Sequence, residues 1–220
     1  LSGCTTVIDH QYVHPGADGD LIDDAVCRAA DELGIRLLLA HGWADRNYHE
    51  PLAEDAATAI QRAKAVFDQW DGHDGRIRIE LGPLIPWGCS DEAMVSTIEA
   101  ARSWGRGTHV HCAETEIEVE MSLEERGMRH VPWLQSVGSL ASDVQLAHAV
   151  WLDDDELDAI ATADAVVVHC PVSNMYLASG VARILEMRER GITVALASDG
   201  SGSNNRQDLF EAMKMSVLLQ

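Results

Sequence analysis

The stretch Thr108-His109-Val110-His111-Cys112-Ala113-Glu114 decides how the rest of the sequence is interpreted. Residues two apart in a β-strand point to the same face, so His109 and His111 share a face. Glu114 follows His111 by three residues, just past the end of the predicted strand. Two imidazoles and a carboxylate at a strand end suit a metal site with a general base beside it. The alternative is that His109 packs in the core and His111 is only a polar strand end.

The composition and length are those of an acidic globular domain. The chain has 220 residues, 46% of them hydrophobic, which is enough for one large domain with a sizeable core. Its formal net charge of −20, from 36 acidic and 16 basic residues, repels a phosphate backbone and argues against nucleic-acid binding. The five cysteines form no Cys-x-x-Cys pair, so we expect no disulfide framework and a reducing, cytoplasmic location. No apolar run reaches 18 residues, so we expect no membrane partner.

Short apolar runs alternate with helical patterns along the whole chain. Strands are predicted at Gly3–His10, Ile35–Ala40, Arg76–Leu81, Gly107–Cys112, Val144–Ala149, Ala165–Val168 and Ile192–Ala197. Helices are predicted at Leu21–Leu33, Ala53–Trp70, from Ser90 as N-cap, Glu116–Arg126, His130–Val137, Asp153–Ala161, Val181–Arg190 and Asn205–Gln220. Apolar strands are typical of sheets buried on both faces. The alternation predicts a parallel sheet, open or closed.

Polar side chains recur where these predicted strands end. They are His10, His41, His111, His148, His169 and Asp199. In a (β/α)8 barrel of the TIM type, the strand ends form one rim, where the active site lies. An open doubly wound sheet gathers them less tightly, and the chain has no Gly-rich dinucleotide loop and no P-loop. We therefore favour the barrel over the open sheet.

Three of these strand-end residues, His111, His148 and Asp199, are candidate metal ligands. Nitrogen and carboxylate donors without thiolate suit Zn²⁺, Fe²⁺ or Mn²⁺. We expect one divalent ion, with zinc as the first choice and iron as the alternative. Such an ion lowers the pKa of bound water to about 7, which gives hydroxide at neutral pH. Asp199 can accept the proton of that water. Glu114 is placed to give a proton to a leaving amine, as hydrolytic C–N cleavage requires.

Each candidate also has a purely structural interpretation. His148 could be a satisfied core histidine, Asp199 could form a turn, and Glu114 could be an acid in a first helical turn. His169 and Cys170 are expected to pack or to orient their neighbours. The occurrence of all these groups at successive strand ends favours the functional interpretation.

Five motifs, taken together and in this order, resemble the amidohydrolase superfamily, in particular its branch of cytosine deaminase-like and atrazine chlorohydrolase-like enzymes. They are Gly3-Cys4-Thr5-Thr6, His109-Val110-His111-Cys112-Ala113-Glu114, Leu146-Ala147-His148, His169-Cys170-Pro171-Val172-Ser173-Asn174-Met175 and Ser198-Asp199-Gly200-Ser201-Gly202-Ser203-Asn204. They span nearly the whole chain. As a set they are specific for the family but say little about the substrate.

The resemblance implies one metal ion in a (β/α)8 barrel. His111 would be the ligand on the family's fifth strand, and Asp199 the ligand and proton acceptor on the eighth. Glu114 would carry protons to the substrate ring. His148, on the sixth strand, would bind or polarise the group under attack and could contact the metal. Asn174 would shape the substrate pocket after the seventh strand.

Two further residues, Gln11 and Trp87, are candidate substrate-binding residues beside Asn174. Like Tyr176, each could equally be a packing residue. The sequence leaves the oligomeric state open, with a homo-oligomer among the options.

One departure from the family pattern concerns its first strand, which carries a His-x-His pair that supplies two metal ligands. No such pair precedes Gly3, the chain opens at Leu1 rather than at methionine, and the family's small β-sandwich is absent. We therefore expect an incomplete barrel, strands two to eight, as one partial hydrolase domain over residues 1–220. As a piece of a longer protein it would hold metal poorly and be inactive alone.

A second departure lies after the fourth strand. Leu84 stands where the adenosine-derivative deaminases of this branch place a histidine. This lowers the expectation of a thio- or homocysteinyl-adenosine substrate and leaves guanine-like, pterin-like or triazine rings.

The favoured function is a metal-dependent hydrolase that deaminates a small aminated nitrogen heterocycle. Dechlorination and cyclic amide hydrolysis are the alternatives within the superfamily. Binuclear cyclic-amide members usually carry a carboxylated lysine on strand four, and Arg76–Leu81 contains no lysine. An alternative of another class is a metal-free barrel used as a binding module.

Overall fold

The computed structural model describes residues 2–15, 19–84 and 87–220. It contains two compact units, the first formed by Thr5–Val110 and the second by Leu1–Cys4 with His111–Gln220. Both units alternate β-strands and helices, as the sequence predicts. Part of the predicted loop Gln11–Asp20, namely residues 16–18, lies outside the described residues.

The first unit is a parallel sheet with helices between its strands. Its elements are β1 (Thr6–Gln11), α1 (Gly19–Leu33), β2 (Arg36–Trp43), α2 (Ala56–Trp70), β3 (Ile77–Pro83), α3 (Asp91–Ser103) and the start of β4 (Thr108–Cys112). The strands pair in chain order, with Thr6 opposite Arg36, Leu37 opposite Ile77 and Leu81 opposite Thr108. Strand β2 runs three residues, and β3 two residues, beyond the predicted end.

Helices α1 and α2 cover this sheet with an apolar face. Their buried side chains pack with those of β2 and β3 in one core, which contains Cys27, Ala30, Leu37, Leu39, Val66, Trp70, Ile77 and Ile79. Burying one leucine or isoleucine side chain contributes about 1.5–3 kcal/mol. The N-caps agree with the sequence signals: Asp55 accepts from the N–H of Thr58, and Ser90, as predicted, from the N–H of Ala93.

The second unit continues the same alternation. Its elements are the end of β4, α4 (Glu116–Arg126), α5 (His130–Ser136), β5 (Val144–His148), α6 (Asp154–Ala163), β6 (Val166–His169), α7 (Pro171–Tyr176), α8 (Ile184–Glu189), β7 (Thr193–Leu196), α9 (Ser201–Asn204) and α10 (Leu209–Leu218). Strands β5, β6 and β7 pair in parallel. Helix α6 opens with a capping box between Asp153 and Glu156, which satisfies backbone N–H groups of the first turn.

The helical predictions in this unit need three corrections. Helix α7 is absent from the sequence predictions, although Pro171 at its first turn is a favourable helix start. The predicted helix Val181–Arg190 is shorter, Ile184–Glu189. The predicted helix Asn205–Gln220 begins later, as α10 at Leu209, because Asn205 has φ +57° and ends the separate short helix α9.

The expectation of strands buried on both faces holds for β2 to β6 but not for β1 and β7, in which exposed and half-buried residues alternate or mix. Each of these two strands pairs with one neighbour among the described strands, so one edge stays open. Helix α10 also exposes large apolar side chains, namely Phe210, Met213, Val217 and Leu218. In β1, Ile8 is 39% exposed. Across the described part of the chain, each helix is too short or too polar to span a membrane.

Candidate active site

The second unit brings together five of the seven candidate residues. His111 is in β4, Glu114 follows it, His148 ends β5, Asn174 lies in α7 and Asp199 follows β7. The other two candidates belong to the first unit. The Gln11 side chain donates to the carbonyl oxygen of Val13 at 3.2 Å, and the Trp87 carbonyl accepts from Asn47 at 3.2 Å. Tyr176 is 57% exposed.

The backbone is unusual where the strands of this unit end. Ala113, His148, Ala149 and Asp199 have φ of +46°, +69°, +50° and +64°, a region that residues with a Cβ rarely adopt. Such conformations cost about 1–3 kcal/mol each and persist only where the surrounding structure holds them. Here the N–H of Ala149 donates to Cys112 O at 3.0 Å. Strain concentrated at these turns supports the interpretation of the strand ends as functional.

His148 is buried and held in one orientation. Its Nδ1–H donates to Oδ1 of Asn174 at 2.9 Å, which leaves Nε2 for another partner. Nε2 lies 3.7 Å from Oε2 of Glu114. The ring stacks on His111 with 5.3 Å between centroids and 14° between planes. A histidine whose second nitrogen is fixed by a hydrogen bond is typical of a metal ligand.

Glu114 is oriented by two hydrogen bonds that the sequence did not indicate. The Ser179 hydroxyl donates to Oε1 of Glu114 at 2.9 Å. The backbone N–H of Glu114 donates to Oε2 of Glu118 at 2.8 Å. Burial raises the pKa of Glu118 to about 7, partly offset by the Glu114 N–H and reinforced by the Glu114 charge. Ser179 is 65 residues away in sequence, which is why no local pattern predicts this contact.

Asp199 accepts two short hydrogen bonds. The Ser173 hydroxyl donates to Oδ2 at 2.5 Å and the Gly200 N–H donates to Oδ1 at 2.6 Å. Burial raises the pKa of Asp199, but these hydrogen bonds and the nearby His148 lower it by a larger amount. The pKa of Asp199 therefore lies below its usual value. The carboxylate is therefore ionised, as a metal ligand requires.

His169 and Cys170 follow the expectation that they pack beside the site. His169 is 1% exposed, and neither ring nitrogen has a hydrogen-bond partner among the residues described. Burial and the neighbouring His148 lower the pKa of His169 to about 4. Burial also raises the pKa of the Cys170 thiol above its usual value. Both side chains are therefore uncharged at neutral pH.

His130 is a further site residue that the sequence interpretation missed. It begins α5, is fully buried, and its Nδ1 accepts from the N–H of Ala113 at 2.7 Å. Burial, Arg126 and Arg129 lower the pKa of His130 to about 3, so the ring stays neutral and can accept this bond. His130 thus fixes the turn between His111 and Glu114.

The candidate ligands His111, His148 and Asp199 have the chemistry of a divalent metal site, but their donor atoms are not closely clustered. His111 and His148 offer imidazole nitrogens and Asp199 an ionised carboxylate, a combination that suits Zn²⁺. Within the described ranges, these three are not among the groups whose donor atoms all lie within 4.8 Å of one another. The chemistry of the residues fits the ion, and their assignment as its ligands stays a prediction.

Comparison with known proteins identifies a family and relatives. The model of the amidohydrolase family matches residues 1–220. A 5'-deoxyadenosine deaminase of Methanopyrus kandleri is 38% identical over 203 residues, which cover 92% of this chain and 46% of that protein. A 5-methylthioadenosine/S-adenosylhomocysteine deaminase 2 of Archaeoglobus fulgidus is 36% identical over 220 residues, covering 100% of this chain and 50% of that protein. The chain thus spans about half the length of these relatives.

A solved structure shows the same fold. Atrazine chlorohydrolase of Arthrobacter aurescens, complexed with zinc, superimposes with a TM-score of 0.94 and 28% identity, over 100% of this chain and 50% of that chain. The predicted fold class, an α/β, incomplete (β/α)8 barrel, is confirmed by this likeness.

Proposed function

Because the chain belongs to the amidohydrolase family, we propose that the protein is a metal-dependent hydrolase that removes an amino group from an aminated nitrogen heterocycle. The observation that carries this proposal is the group formed by Glu114, His148 and Asp199. The Glu114 carboxylate lies 3.7 Å from the His148 ring, which ends β5. The ionised Asp199 follows β7, two strands along the same sheet.

The residues then divide the chemistry between them. His111, His148 and Asp199 would hold one divalent ion. When bound, the ion supplies Lewis-acid activation of the attacking water. Asp199 takes the proton of that water, and the hydroxyl of Ser173 keeps its carboxylate in place. Glu114, held by Ser179, passes a proton to the departing amine.

Zinc is the ion we favour over iron. Imidazole and carboxylate donors without thiolate are a usual zinc set. The structurally similar atrazine chlorohydrolase is complexed with zinc, which supports the same choice here.

For the substrate, we favour a purine with an exocyclic amine over other rings. The deaminases of Methanopyrus and Archaeoglobus, at 38% and 36% identity, are named for adenosine derivatives. Leu84 argues against a thio- or homocysteinyl-adenosine substrate. It is apolar and buried, and it stands where the adenosine-derivative deaminases place a histidine. Guanine-like, pterin-like and triazine rings therefore remain candidate substrates. Dechlorination is the second candidate, supported by the likeness to atrazine chlorohydrolase.

The compartment we favour is the cytoplasm. All five cysteines are free thiols, as a reducing environment permits. Fractionation of cells with an antibody to the protein tests this assignment.

The deaminase proposal is tested with the complete reading frame, loaded with zinc. The substrates are 5'-deoxyadenosine, methylthioadenosine, guanine, an aminated pterin and an aminated chlorotriazine, and ammonia and chloride release are both followed. We expect ammonia from at least one ring and a loss of about 10²- to 10⁴-fold in rate for Asp199→Asn, because proton transfer contributes that much. Chloride release without ammonia would favour dechlorination. Release of neither product, or a variant that keeps a tenth of the rate, would contradict the proposal.

A further inference from the structure

The first unit contains a second group of potential metal ligands that the proposed reaction does not use. His14 follows β1, Asp23 lies in α1 and His41 lies in β2. All three side chains are buried, with 6%, 1% and 1% of their surface exposed. Polar side chains this deeply buried must have their charges and hydrogen bonds satisfied by neighbours or by a ligand.

The three side chains converge on the carboxylate of Asp23. Nε2 of His14 is 3.0 Å from Oδ1, and Nδ1 of His41 is 2.6 Å from Oδ2. The two imidazole rings stack, with 4.3 Å between centroids and 25° between planes. One donor atom from each residue lies within 4.8 Å of the others, and within the described ranges this is the one such group whose members are all buried.

Without a bound cation, the Asp23 carboxylate is held by one hydrogen bond to each imidazole. Two neutral imidazoles that donate to Asp23 leave its negative charge in the interior. Nε2 of His41 is buried and has no hydrogen-bond partner among the described residues, which is unfavourable for a polar atom. A divalent cation bound by the three side chains would compensate the charge of Asp23.

We propose that His14, Asp23 and His41 form a structural site for Zn²⁺, separate in its residues from the candidate active site. Two imidazoles and one carboxylate match the ligand preference of zinc. Ligand atoms that share a tetrahedral zinc are about 3.3 Å apart, because Zn–N and Zn–O bonds are about 2.0–2.2 Å. The two nitrogen–oxygen pairs need to separate by less than about 1 Å to admit the ion.

The site would join three parts of the first unit that are separate in sequence. It would fasten the segment after β1 to α1 and to β2, and water would complete the coordination. The other potential group, Asp31, His73 and Asp74, is half-buried or exposed and offers no such enclosure, so it serves as the internal comparison.

The test uses the 220-residue chain with His111→Ala and Asp199→Ala, which removes ligands of the candidate active site. This chain is dialysed against Zn²⁺, and its zinc content is measured by elemental analysis. We expect about one zinc per chain, and at least a tenfold loss of affinity when Asp23→Asn or His41→Gln is added. The matched control is His73→Gln, which alters the exposed group and should leave zinc binding unchanged.

Circular dichroism checks that each variant is folded. X-ray absorption at the zinc edge, measured on the chain with only His111→Ala and Asp199→Ala, identifies the zinc ligands directly, without further substitutions. Two imidazoles with oxygen ligands support the site. A folded chain that binds no zinc, a sulfur ligand, or equal binding after Asp23→Asn would overturn it. These outcomes do not depend on deaminase activity.

Discussion

Glu114 shows how single side chains prepare this site. A carboxylate that must pass protons has to be held in one position, because proton transfer needs hydrogen-bond distance in a defined direction. Ser179 fixes one oxygen of Glu114, and Glu118 fixes its backbone N–H. Ser179 is itself held, since its carbonyl oxygen accepts from Nε1 of Trp151 at 2.6 Å. The orientation of the acid therefore depends on a chain of contacts from another part of the sequence.

Ser179→Ala in the full-length enzyme should lower kcat about tenfold with little change in KM. A hydrogen bond to a charged group contributes about 1.5 kcal/mol or more, and its loss frees the Glu114 carboxylate. Ser179→Thr, which keeps the hydroxyl, should recover part of the rate. The matched control is Ser139→Ala, since Ser139 is equally buried and its hydroxyl has no partner within the described ranges. Equal losses for both alanine variants would mean that Ser179 only packs.

Glu118 should make stability depend on pH. Its pKa is raised from 4.5 to about 7 in the folded chain, so its stabilising contribution is complete below pH 4.5 and is lost as pH rises through 7. The shift corresponds to about 3 kcal/mol. In urea unfolding, wild type should lose about this much relative to Glu118→Gln between pH 4.5 and pH 8. Glu116→Gln, at an exposed position of the same helix, is the control. A constant difference between wild type and Glu118→Gln would contradict the assignment.

At the scale of elements, the turns after the strands carry the site, and they are the parts that the sequence predicts least completely. The strands and most helices could be predicted because apolar periodicity and caps such as Ser90 and Asp153 are local signals. The strand ends then gave His111, Glu114, His148 and Asp199 as candidates. The supporting hydrogen bonds could not be predicted, because they join residues that only the fold brings together.

The hydrogen bond from the N–H of Ala113 to His130, at the start of α5, is such a contact between separate elements. Removing this hydrogen bond should destabilise the second unit. His130→Ala deletes the acceptor for the N–H of Ala113, which lies at φ +46° in the turn after β4. An unpaired buried N–H costs about 1–3 kcal/mol, and the lost ring adds a cavity. We expect a fall of about 2–4 kcal/mol in the free energy of unfolding, measured in urea. His49→Ala, at an exposed histidine, should change it by less than about 0.5 kcal/mol.

For the whole molecule, the acidic surface and the apolar side chains left exposed act in opposite directions on self-association. The net charge of −20 makes copies of the chain repel one another, and this repulsion weakens as salt screens it. Helix α10 offers the opposing attraction. Phe210, Met213 and Val217 follow the spacing i, i+3, i+7 and are 65%, 49% and 74% exposed, so they form one apolar stripe.

We therefore expect the 220-residue chain to self-associate through α10 as salt is raised. Sedimentation over a concentration series should give a mass that grows with salt, because screening removes repulsion while apolar attraction remains. Val217→Lys should reduce this association, since it places a charge at the most exposed position of the stripe. Leu33→Lys is the matched control: Leu33 is 80% exposed but lies at the end of α1, in the first unit. Association that both variants reduce equally would point to general surface charge, and a monomer at all salt concentrations would show that the stripe is too small to pair.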